Sequence, residues 1–105
     1  MTIPLQSKRN QSRYIQIFSD GCKECIDHIR NVEIGKCAGC NLDVFFINEK
    51  TNTIKNKIRM YKISIHPTTI IDDVIKVEGV PNFYWLCGGE FFDKLKKEYP
   101  LTLEM

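Results

Sequence analysis

The chain has 105 residues, which is enough for one domain with a single modest core. Its 43% hydrophobic and 27% charged residues are the balance of an ordinary globular protein. The net charge of +2 is too small to indicate binding to nucleic acid or to an anionic membrane, and no apolar run approaches the roughly 20 residues of a membrane-spanning helix.

The N-terminal segment, residues 1–13, is polar and basic, and it lacks the apolar stretch of a secretory signal. We expect it to be a flexible tail that precedes a single domain over residues 14–105. Without a secretory signal, the expected location is the cytoplasm, where thiols are kept reduced.

The first predicted strand is Tyr14–Phe18, a β-rich run that ends at a Ser-Asp-Gly turn. This turn is also a helix-capping signal, and it predicts a helix over about residues 22–34. Ile26, Ile29 and Ile34 are expected to form the apolar face of that helix, with Val32 near its edge.

Five further elements are predicted: a strand over 42–47, a helix capped by Thr53 that ends near Lys62, strands over 68–71 and 74–78, and a last helix from Gly88 or Gly89 to Tyr99. Two right-handed crossovers predict that the first three strands are parallel. The short turn at Asp72 and Asp73 makes the fourth strand antiparallel to the third.

Four of the five cysteines form two C-x-x-C pairs, which in a cytosolic chain favours redox or metal chemistry. Cys22 and Cys25 lie at the start of the first helix, where unpaired N–H groups and the helix dipole stabilise a thiolate. Cys22 is thus predicted to be the nucleophile, and Cys25, one turn later, to resolve the mixed disulfide. An inert or metal-bound pair is the alternative.

Two segments of the chain resemble the thioredoxin superfamily. One is Tyr14–Phe18 running into Cys22-Lys-Glu-Cys25, and the other is residues 61–71, which look like the family's run into its cis-proline and third strand. The likeness is closest to small prokaryotic thioredoxin- or glutaredoxin-like proteins with a second C-x-x-C. It implies an α/β thioredoxin-like fold, β-α-β-α-β-β-α, whose four-stranded mixed sheet has the order 2-1-3-4 and helices on both faces.

The resemblance also implies that Pro67 is cis and that His66, Pro67 and Thr68 bind an extended substrate beside the dithiol. His66 stands where the family usually has an aliphatic residue or Thr, and Lys-Glu replaces the usual dipeptide between the cysteines, so the direction of electron flow stays open. Three roles remain for His66: stabilising a Cys22 thiolate when protonated, joining a metal site, or none.

The second pair, Cys37 and Cys40, follows the predicted C-terminus of the first helix, where the dipole raises the pKa of a thiol. Both pairs can bind one zinc ion only if the helix between them is broken, because its length keeps them roughly 14 Å or more apart. A second redox pair, half of an intermolecular metal site, and free thiols all remain open. Cys87 stands alone, and its role is open as well.

The sequence therefore predicts a monomeric thiol–disulfide oxidoreductase that needs no cofactor. Its expected partners are a protein disulfide and an upstream reductase or low-molecular-weight thiol, with no nucleic acid and no membrane. The alternative is a metal-binding or redox-sensing protein of the same fold that uses the two C-x-x-C pairs.

Overall fold

The computed structural model describes residues 13–36, 39–81 and 89–101. In chain order the elements are β1 (Tyr14–Ser19), α1 (Lys23–Gly35), β2 (Asn41–Phe46), α2 (Asn52–Tyr61), β3 (Thr68–Ile71), β4 (Ile75–Glu78) and α3 (Gly89–Glu98). The predicted order β-α-β-α-β-β-α is confirmed. Within these three ranges, no helix has the length and apolar character needed to cross a membrane.

The four strands form one mixed sheet in the order β2-β1-β3-β4, as predicted. β1 and β2 are parallel, and β3 and β4 are antiparallel. The prediction that the first three strands are all parallel is wrong, because β3 runs antiparallel to β1. The connection of residues 62–67 can span about 20 Å when extended, which lets the chain travel back along the sheet after α2 and enter β3 from the opposite end.

Alternating residues of β1 face two different cores, so helices cover both faces of the sheet. Ile15 and Ile17 pack on the face that also holds buried residues of α1, α3, β3 and β4. Phe18 packs on the other face with Tyr61 of α2 and Ile70 of β3. This division follows from the two-residue period of a strand.

Gln16 is a fully buried polar residue of β1, and its side chain is satisfied by neighbours on the α2 face. Lys57 Nζ donates to Gln16 Oε1 at 2.8 Å, and Gln16 Nε2 donates to Tyr61 Oη at 3.2 Å. Tyr61 Oη donates in turn to a carboxylate oxygen of Asp73. A buried amide without partners is costly, so these hydrogen bonds stabilise the buried position of Gln16. The same bonds link α2 to β1 and to the turn before β4.

The apolar face of α1 agrees only in part with the predicted one. Its buried residues are Cys25, His28 and Val32, which recur at the three- and four-residue spacing of a helical stripe. Ile26 and Ile34 are exposed instead, Ile34 to 77%. Val32, predicted at the edge of the face, is buried, and Ile29 is partly buried against the same core. The cap at the start of the helix and its packing on β1 and β3 select the stripe that contains Cys25 and His28.

The N-cap of α2 lies two residues earlier than predicted. Thr51, not Thr53, is the N-cap, and its hydroxyl accepts a hydrogen bond from the Ile54 N–H at 3.2 Å. A capping side chain reaches the N–H two or three residues onward, and Thr51 has that spacing from Ile54. Asp72 and Asp73 form the predicted turn, both with positive φ of 52° and 60°.

Residues at both ends of the described chain pack on the sheet. Of the predicted tail, residues 1–12 lie outside the described residues, and Arg13 forms an ion pair with Asp72 at 3.0 Å and lies 4.6 Å over the Phe92 ring. After α3, Pro100 bridges to Ile75, so residues 99–101 run along the outer side of β4. Cys37 and Cys87 lie in parts of the chain that the structure does not describe.

A buried isoleucine of β1 and an exposed isoleucine of α1 provide two contrasting substitutions. Ile17→Ala should lower the free energy of unfolding by about 2–5 kcal/mol, because Ile17 is fully buried and its loss leaves a cavity. Ile34→Ala should change it by about 0.5 kcal/mol or less, because Ile34 is exposed. Urea unfolding measures both, and similar losses for the two variants would contradict the observed orientation of α1.

His28 makes the stability dependent on pH. Its side chain is 3% exposed, its Nε2 lies 2.8 Å from Thr69 Oγ1, and burial lowers its pKa. Because the unfolded chain then binds a proton more readily than the folded one, stability should fall as pH drops through about 6.5. Urea unfolding at pH of about 7.5 and about 5.5 should show a smaller loss for His28→Gln than for the native chain. An equal loss in both would assign the pH dependence to other groups.

Candidate functional site

The turn between β1 and α1 positions Cys22 as the first residue of a candidate site. Gly21 has a φ of +85°, a conformation that other residues rarely adopt, and it reverses the chain at this point. The Gly21 N–H donates to Ser19 Oγ at 2.9 Å, and the Cys22 N–H donates to Asp20 Oδ1 at 3.0 Å. These two hydrogen bonds fix the turn, and Cys22 becomes the N-cap of α1.

Cys22 and Cys25 form a close pair of thiols. Their sulfurs are 3.1 Å apart, so they are in contact without being bonded. Cys22 is partly exposed and Cys25 is fully buried. An incoming sulfur can therefore reach Cys22 first, whereas Cys25 is shielded from solvent.

Asp20 lies between this pair and His66. Its Oδ1 accepts from the Cys25 thiol at 3.4 Å, and its Oδ2 lies 3.2 Å from His66 Nδ1. The sequence pattern marked Asp20 only as a turn residue. The signal that could have identified it is its position two residues before a capping cysteine, where an Asx turn directs the carboxylate at the helix start.

Electrostatics at the pair oppose ionisation of Cys22. The hydrogen bond from its thiol to Cys25 Sγ, together with the facing Asp20 carboxylate, raises the pKa of Cys22 to about 11, against the stabilising effect of the Cys25 N–H at 3.3 Å. The Cys25 N–H at the helix start acts in the direction that the sequence predicted, but in the resting dithiol the Cys25 thiol and Asp20 outweigh it. Hydrogen bonding from the side chain and backbone of Cys22 lowers the pKa of Asp20, so Asp20 is a carboxylate at neutral pH.

The segment before β3 supplies the second part of the site. The His66–Pro67 peptide bond is cis, as the resemblance implied. Thr68 is opposite Phe18 in the β1–β3 register, so Pro67 and the turn that holds Asp20 lie at the same end of the sheet. His66 is the predicted binding residue that the structure brings to the dithiol, through Asp20.

Pro67 and Thr68 make hydrogen bonds within the protein instead of facing a ligand. Pro67 is buried, and its carbonyl accepts from the Gly79 N–H at 2.7 Å. Thr68 is buried, and its hydroxyl donates to the Ile65 carbonyl. A ligand at this site therefore meets the His66 side chain and the backbone before Pro67, not the Thr68 side chain.

Cys40 is remote from this end of the sheet. It is 4% exposed and belongs to the core on the α1 face. It immediately precedes Asn41, which is opposite Tyr14 at the start of β1, whereas Cys22 follows the end of β1. A six-residue strand spans about 20 Å, and α1 is continuous, so Cys40 cannot join Cys22 and Cys25 in one metal site.

No protein-family model matches the chain, and neither does any curated protein or solved structure.

Asp20→Asn should lower the pKa of Cys22, because it removes the carboxylate that disfavours a thiolate. Alkylation of Cys22 by iodoacetamide at neutral pH should then be faster than in the native chain, as measured by peptide mass spectrometry over time. Asp27→Asn is the matched control, since it removes the same charge from an exposed position on α1. Equal rates in the two variants would show that Asp20 does not act on Cys22.

Proposed function

We propose that the chain is a thiol–disulfide oxidoreductase with a thioredoxin-like fold. The observation that carries the proposal is the asymmetric pair at the start of α1: an accessible Cys22 sulfur in contact with a buried Cys25 sulfur, 3.1 Å away. Thiol–disulfide exchange through a mixed disulfide needs one thiol that meets the substrate and a second that attacks the first.

The exchange has two steps that balance in sulfur and electrons. The Cys22 thiolate attacks one sulfur of a substrate disulfide, a Cys22–substrate bond forms, and the other substrate sulfur leaves as a thiolate and takes a proton. Cys25, after losing its proton, attacks Cys22 Sγ and releases the second substrate sulfur, which leaves a Cys22–Cys25 disulfide and a reduced substrate. The two electrons come from the protein dithiol, and an external reductase or a low-molecular-weight thiol must restore it.

The surroundings of the dithiol support a peptide as substrate. The partly exposed His66 side chain and the backbone before Pro67 lie beside the turn that holds Cys22. An extended segment can lie along this backbone while its disulfide meets Cys22, because extended chains are commonly bound by main-chain hydrogen bonds. The proposed partners are thus a protein disulfide and a reductant that resets the pair, with no cofactor required for the exchange.

The antiparallel position of β3 supports the thioredoxin-like fold. It begins at Thr68, opposite the end of β1, and it thereby brings the His66–Pro67 bond to the dithiol. Parallel strands would have placed this segment at the other end of the sheet. The proposed fold and the proposed chemistry thus depend on the same register.

Turnover tests the proposal directly. The native chain should accelerate reduction of a disulfide-containing protein such as insulin by dithiothreitol, and Cys22→Ser should abolish the acceleration because the attacking sulfur is lost. Cys25→Ser should instead accumulate a mixed disulfide with the substrate, visible by non-reducing electrophoresis and mass spectrometry.

Cys37→Ser is the matched control for these variants. Activity retained in Cys37→Ser and lost in Cys22→Ser would assign the chemistry to the first pair alone. Activity lost in both would make the second pair a relay. No acceleration by the native chain would contradict the proposal for protein disulfides.

A further inference from the structure

Three potential metal donors converge at the start of α1. One carboxylate oxygen of Asp20 and the sulfurs of Cys22 and Cys25 all lie within 4.8 Å of one another. They come from the turn and the first helical turn, which hold them at this end of the sheet. Among the described residues, neither His66 nor Cys40 is part of this cluster, although the sequence named both as candidates.

The charge of the cluster favours a cation. Asp20 is a carboxylate beside two sulfurs that are negative when they ionise, so each ionisation is opposed by the others. A divalent cation between the three groups replaces their mutual repulsion with attraction, because it binds all three and displaces the thiol protons. Binding one ion thus releases two protons, one from each thiol.

The donor set identifies the class of ion. Two thiolates and one carboxylate suit zinc and ions of similar size and softness, whereas magnesium and calcium take oxygen ligands. Zinc–sulfur bonds of about 2.3 Å in a tetrahedron place two sulfurs about 3.8 Å apart. The sulfurs are 3.1 Å apart as thiols, so they must move about 0.7 Å further apart. Rotation of the partly exposed Cys22 side chain can supply this movement.

We propose that the reduced dithiol, together with Asp20, forms a binding site for a zinc-like divalent cation with one coordination position open. His66 Nδ1 lies 3.2 Å from Asp20 Oδ2 and orients the carboxylate. This property goes beyond disulfide exchange, because it requires the dithiol to be reduced and needs no turnover.

Cobalt(II) is the probe, because thiolate ligation produces a near-ultraviolet charge-transfer band and tetrahedral geometry produces strong visible bands. Titration of the reduced full-length chain should give these bands at one ion per chain, and added zinc should abolish them. Cys22→Ser should lose them. This variant should fold, because Ser is a preferred helix N-cap and Cys22 occupies that position. Circular dichroism checks the fold of each variant before titration.

Two matched pairs of variants test whether cobalt binding depends on this site, and not on other cysteines or on the overall charge of the chain. Asp20→Asn should weaken cobalt binding by about tenfold or more, and Asp27→Asn should leave it unchanged. Cys37→Ser should retain the bands. Absence of a charge-transfer band in the native chain would overturn the proposal, as would its persistence in Cys22→Ser or its loss in Cys37→Ser. Equal affinities in Asp20→Asn and Asp27→Asn would overturn the role of Asp20.

Discussion

The pairing of β1 with β3 is the constraint on which the candidate site depends. Phe18 and Thr68 are opposite one another, so the turn after β1 and the segment before β3 meet at one end of the sheet. β1 also pairs in parallel with β2 on its other side, and it is buried on both faces. Because a one-residue slip would invert every side chain of β1, the two cores fix the register and, with it, the position of His66 relative to Cys22.

The site combines proton-bearing sulfurs with a permanent negative charge. Asp20 holds the turn through the Cys22 N–H, faces the Cys25 thiol, and contacts His66. The same carboxylate that shapes the helix start also opposes ionisation of Cys22. A dithiol with these properties reacts readily only when a substrate, a proton acceptor or a cation changes the charge around the two sulfurs.

Local patterns were sufficient to predict the elements and the dithiol, because capping and turn chemistry act over a few residues. The Ser-Asp-Gly turn predicted where α1 begins, and the Asp72-Asp73 turn predicted the β3–β4 hairpin. The direction of β3 was not predictable in this way, since it depends on the path of an irregular connection. The role of His28 and the contact of Asp20 with His66 were missed for the same reason, since Thr69 and His66 are more than 40 residues away from their partners along the chain.

Residues 99–101, which follow α3, cover the outer edge of the sheet. The Lys76 N–H donates to the Tyr99 carbonyl at 3.0 Å, and the Leu101 N–H donates to the Val74 carbonyl at 2.9 Å. These bonds cover the outer backbone of β4, which as an exposed edge would be a template for pairing with another chain. During synthesis this edge stays open until residues 99–101 have left the ribosome, so the nascent domain is most prone to self-association just before its sheet is complete.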